Sequence, residues 1–190
     1  RLSRIWMSDA TGAAVASALA VTASESPSPS RRLSSGGVKN NMAKLVDIDL
    51  SANALGPEFC EALAKLLVVA PVLRVLNLAQ NQLTPACCTP LVKALYATMS
   101  LHTLDLSSNS LCGTNLADSS ADGIGDLAAG LKSGTSLTEL DLSNNALCGL
   151  RAVRIFGERV TRGTYNLAAV EHLLGAFDDD RMRLKTLRLD

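Results

Sequence analysis

Apolar residues recur along the chain in one fixed phrase, LxxLxLxxNxL. It occurs as Leu45-Ile48-Leu50-Asn53-Leu55, Leu73-Leu76-Leu78-Asn81-Leu83, Leu101-Leu104-Leu106-Asn109-Leu111 and Leu137-Leu140-Leu142-Asn145-Leu147. A fifth copy opens at Leu184-Leu187-Leu189. Apolar residues two apart lie on one side of an extended chain, so each phrase predicts a short strand with its leucines facing a core. Between the phrases the period changes. Leu63 and Leu67, Leu91 and Leu95, and Leu127 and Leu131 are spaced i, i+4, which puts each pair on one helix face. Helices are therefore predicted over PEFCEALAKLLV (57–68), around Pro90 with Thr89 as its cap, and over DGIGDLAAGLK (122–132). In the next unit Leu174 holds the first inward place but Asp178 holds the second. There the register is expected to slip by a residue, or the helix to end early.

The first three phrases start 28 residues apart; the later intervals are 36 and 47, which adds insertions of 8 and 19 residues. Both insertions begin at Cys-Gly after an Asn-x-Leu, as CGTNLADSSADG (112–123) and CGLRAVRIFGERVTRG (148–163), so both are expected to emerge on the same rim. Cys112 and Cys148 should stack as small buried groups, with the glycine freeing the backbone to leave the coil. The asparagine after each strand enters a tight bend, where its amide can donate to and accept from backbone groups. Asn53, Asn81, Asn109 and Asn145 are thus expected to form a structural ladder.

Four such phrases in register over residues 43–190 resemble the leucine-rich repeat family, and a 28-residue period with a full helix resembles its ribonuclease-inhibitor-like subtype. The resemblance implies an α/β fold, a right-handed solenoid or horseshoe with parallel strands on the concave face and helices on the convex face. Residues 1–24 read as a degenerate repeat (Leu2, Ile5 and Met7 as LxxLxL, Ala10 in place of the asparagine) or as an N-terminal helix. Residues 25–42, rich in Ser, Pro and Gly, read as a flexible linker or insertion. The opening Arg1 and the closing LKTLRLD suggest a piece of a longer protein.

Composition narrows the function. Formal net charge is zero, which gives no basic excess for nucleic acid. The apolar run 13–21 reads as a small-residue helix, and the run 66–76 is broken by Pro71, so no membrane span is expected. Five cysteines with no CxxC spacing suggest reduced thiols in the cytoplasm. No phosphate loop, nucleophile elbow, calcium-loop spacing or His/Cys ligand cluster is written in the chain, so neither cofactor nor metal nor catalysis is expected.

What remains is recognition of a protein. Asp47, Asp49, Asn77, His102, Asp105, Glu139 and Asp141 are expected on the outward side of the strands. The column Asp49, Asn77, Asp105, Asp141, Arg188 is either an acidic stripe for a basic partner or an ordinary, solubilising wording of this repeat. The second insertion carries Arg151, Arg154, Arg159 and Arg162 with Phe156 among them. It is either a basic rim for an acidic protein segment or a long loop folded back on the helices. The chain thus reads as a protein–protein interaction module or scaffold without chemistry of its own. The resemblance also admits an enzyme regulator like the GTPase activator of the nuclear-transport GTPase, or the sensor part of a nucleotide-binding receptor.

Overall fold

The computed structural model describes residues 2–24, 45–68, 70–113, 121–155, 158–177 and 182–189. The predicted strands and helices alternate along it. Helix α1 (Asp9–Ser24) precedes strand β1 (Asp47–Asp49) and helix α2 (Pro57–Val68). Then come β2 (Val75–Asn77), α3 (Cys88–Ala97), β3 (Thr103–Asp105), α4 (Asp122–Lys132) and β4 (Glu139–Asp141). A hairpin, β5 (Leu150–Ile155) and β6 (Glu158–Gly163), leads to α5 (Ala168–Phe177) and β7 (Thr186–Arg188).

The three-residue strands form one parallel sheet in the order β1-β2-β3-β4-β7. Equivalent residues pair throughout: Ile48 with Leu76, Leu76 with Leu104, Leu104 with Leu140, and Leu140 with Leu187. Register is fixed because a one-residue slip would turn every leucine out of the core. Each helix packs on the next, α1 on α2 through to α4 on α5. The helices and the inward leucines of the strands enclose one continuous apolar core, running from Met7 to Ala176. The result is an α/β repeat fold.

The asparagines join the coils. The amide oxygen of Asn81 accepts from the Leu55 N–H at 3.1 Å, and its nitrogen donates to the carbonyls of Leu50, Leu78 and Ala79. Asn109 accepts from the N–H groups of Asn81 and Leu83, and donates to the carbonyls of Leu78, Leu106 and Ser107. Asn145 accepts from Leu111 N–H and donates to the carbonyls of Leu106, Leu142 and Ser143. The residue before each asparagine (Ala52, Gln80, Ser108 or Asn144) is left-handed, with φ of 55–57°. That bend carries the chain from strand direction into the asparagine's reach.

Residues 2–8 lie beside β1 with the same backbone bonds that join the later coils. Leu2 N–H donates to Asp49 O and Arg4 N–H to Ser51 O, just as Leu50 and Ala52 donate to Asn77 and Ala79. Met7 N–H donates to the Asn53 amide oxygen at 3.0 Å, as Leu55 does to Asn81. This corrects the register read for the opening phrase. Leu2 occupies the last strand position, equivalent to Leu50; Ile5, not Ala10, stands where the asparagine would be, and Met7 takes the place of Leu55. The backbone bonds, which the apolar spacing alone did not reveal, decide it. Asp9 then clasps α2: its carboxylate accepts from the N–H groups of Gly56 (2.8 Å), Phe59 (2.8 Å) and Glu58 (3.0 Å).

Two helix expectations change. The helical stretch before Leu91 begins at Pro85, through a 3₁₀ turn over Pro85–Cys87; Thr89 lies within α3 and its hydroxyl donates to Asp126 of α4 at 2.6 Å. In α5 the buried residue is Leu173, at 1 % exposure, while Leu174 is 59 % exposed. The register has slipped by one, and Ala176 completes that helix's inward face. Asp178 lies outside the described residues.

Candidate functional site

Parallel sheets are ordinarily covered on both faces. Here the helices take one face. The other face presents polar side chains: Asp47, Glu139, Thr186 and Arg188 are exposed, and Asp49, Asn77, Thr103, Asp105 and Asp141 half-buried. Strand pairing sets them in two columns. Asp47, Val75, Thr103, Glu139 and Thr186 are successive partners, as are Asp49, Asn77, Asp105, Asp141 and Arg188. At a strand spacing of about 4.7–4.9 Å the second column sets Asp105 and Asp141 side by side. Arg188 closes it with an ion pair to Asp141 at 3.6 Å. His102 is exposed at the entry to β3, and its imidazole Nδ1 contacts the Ser100 carbonyl oxygen.

The acidic column has a structural duty besides its charge. One side-chain oxygen of each member accepts the backbone N–H two residues on: Asp49 from Ser51 (3.1 Å), Asn77 from Ala79 (2.9 Å), Asp105 from Ser107 (2.9 Å) and Asp141 from Ser143 (2.9 Å). The hydroxyls of Ser51 and Ser143 donate to the same oxygens of Asp49 and Asp141. These are Asx turns, which lead the chain out of the strand. Asn77 makes the same bond as the aspartates, so the turn needs the oxygen and not the charge. The recurrence of Asp or Asn one residue before the last strand leucine carries this requirement alongside the charge.

The second insertion is a β-hairpin rather than a loop. Its antiparallel register pairs Arg151 with Arg162 and Arg154 with Arg159. Arg154 and every residue of β6 are exposed. The sequence signal is weak: two six-residue runs, each with two β-branched residues, flank the pair Phe156-Gly157. Phe156 itself lies outside the described residues, as do 114–120 of the first insertion. Both insertions leave their coils through left-handed glycines, Gly113 (φ 102°) and Gly149 (φ 72°). Gly163 (φ 125°) closes the hairpin against the Gly149 carbonyl, where a Cβ would collide. Of the paired cysteines, Cys112 is buried and Cys148 only half-buried.

Thus the structure assembles Asp47, Asp49, Asn77, Asp105, Glu139 and Asp141 on one sheet face, and Arg151, Arg154, Arg159 and Arg162 on one hairpin. Among the described residues, no group of three or more His, Cys, Asp or Glu is placed to hold a metal ion, and no helix is long and apolar enough to cross a membrane. No curated protein matches the chain. The Leucine Rich Repeat family model matches residues 100–121 and 136–155, the two coils that open with β3 and β4. Those two matches, set in a sheet whose repeats pair residue for residue, support a leucine-rich repeat protein.

Proposed function

We propose that the chain is a protein-interaction module of the ribonuclease-inhibitor-like subtype, a right-handed solenoid that binds a protein partner on the concave side of its strands and on the adjoining hairpin. The observation that carries this reading is the polar face of a parallel sheet, uncovered among the described residues, since leucine-rich repeats generally serve protein binding. The 28-residue spacing and the full helices α2 and α3 support the subtype. On this reading the chain acts as a scaffold in the cytoplasm, performs no catalysis, takes no cofactor, and engages neither nucleic acid nor membrane. Residues 2–24 serve as its first coil, and Asp47, Asp49, Asn77, His102, Asp105, Glu139 and Asp141 form the contact face. Asn53, Asn81, Asn109 and Asn145 are the ladder behind it.

The test uses Asp49→Asn/Asp105→Asn/Asp141→Asn, which removes three charges and retains the turn-forming oxygens. A displayed library of folded domains is selected on the parent chain, and the enriched clones are titrated against the variant by biolayer interferometry. Ligands of the sheet face should weaken about tenfold or more on the variant. Enriched ligands that bind both chains alike would remove the sheet face from the proposal.

A further inference from the structure

Resting on the reading of the chain as a protein-binding module, we propose that the outer edge of β6 accepts an acidic, extended protein segment as a third strand of the hairpin. A two-stranded ribbon leaves the backbone N–H and C=O groups along each outer edge without a ladder partner. β6 is exposed at every residue from Glu158 to Gly163, so its edge is open to solvent among the described residues. The alternation of donors and acceptors along such an edge is matched by another extended polypeptide.

Charge selects the occupant. The hairpin concentrates four arginines against Glu158 in a chain of zero net charge. Cross-strand pairing sets exposed Arg154 against exposed Arg159, and like charges directly opposite oppose pairing. A second copy of this hairpin would add arginines to arginines, so the charges disfavour self-association along the edge. A segment carrying carboxylates relieves that repulsion and meets the exposed Arg162 as well. Arg159 and Arg162 are three residues apart and therefore lie on opposite faces of β6. The matching segment is about six residues long, with Asp or Glu at i and i+3, so that one carboxylate reaches each face. A nucleic acid would meet the charge but not the edge.

The experiment uses the full chain and a fluorescent eight-residue peptide with Glu at i and i+3 in a Thr/Val background. Two further peptides carry N-methyl groups at alternate residues, in opposite phase, and a single-stranded oligonucleotide serves as the nucleic-acid probe. Anisotropy should show binding of the parent peptide, weakened about tenfold or more by Arg159→Glu/Arg162→Glu. One N-methyl phase should abolish binding, and amide exchange over 158–163 should slow in the complex. Failure of the acidic peptide to bind, equal binding of both N-methylated peptides, or stronger binding of the oligonucleotide would each overturn the proposal. These outcomes leave the sheet face untouched, because its own test uses the Asp→Asn triple variant.

Discussion

Asn109 shows how one side chain holds two coils. Its amide meets two N–H groups and three carbonyls of its own and the preceding coil, at 4 % exposure. Asn109→Ala would strand these buried groups, and the expected loss is roughly 3 kcal/mol, read as a lower urea midpoint. Asn109→Asp should cost as much or more, because an anionic oxygen would replace the amide nitrogen that faces three carbonyls. By contrast the Asp49/Asp105/Asp141→Asn triple should melt within a few degrees of the parent, since Asn77 already makes that turn. The thiols add a pH dependence. Burial, helped by the neighbouring Cys87 and Cys112 thiols and Asp126, pushes Cys88 up to about 12 from the ordinary 9.0. Its folded-state value is raised, so its stabilising effect is whole below pH 9 and is lost as pH climbs toward 12. Cys60 shifts the same way, through its hydrogen bond to Cys87 and through burial. The urea midpoint should therefore fall between pH 9 and 11, and less steeply in Cys88→Ala than in the parent.

At the level of elements, the apolar phrase disclosed every strand of the sheet and helices α2, α3 and α4, because strand and helix periods are written in the leucines themselves. Burial of Leu63, Leu67, Leu91, Leu95, Leu127 and Leu131 follows that pattern. Where the pattern thins, spacing no longer reports register. Ile5 stands at an asparagine position, so the first coil's register could not be taken from spacing. The Asp9 clasp joins residues about fifty apart, and nothing local announces the partner. Asp9→Ala removes an acceptor from three N–H groups at the start of α2 and should cost about 1–2 kcal/mol. Hydrogen exchange should quicken over α1 and over residues 56–59 while β3 and β4 keep their protection. The candidate site divides in the same way. The sheet-face residues were legible because alternation fixes their direction, whereas the arginines' placement on a ribbon depends on a pairing that composition does not state. Replacing 150–163 by a short Gly-Ser link should leave the melting temperature nearly unchanged, because β6 is exposed along its whole length and contributes no buried residue to the core.

For the molecule as a whole, the distance along the chain between sheet partners grows toward the later coils. Ile48, Leu76 and Leu104 are 28 residues apart in sequence, while Leu140 waits for Leu187, 47 residues on. That one long interval has a consequence for synthesis on the ribosome. At roughly 5–20 residues per second, the edge of β4 stands open for several seconds before β7 emerges. The β5–β6 ribbon needs only about 1–10 μs to form. Its pairing is thus local and does not wait for β7, whereas the parallel sheet does. The hairpin is in this sense a timed element: it closes locally and leaves the parallel sheet to resume once β7 arrives.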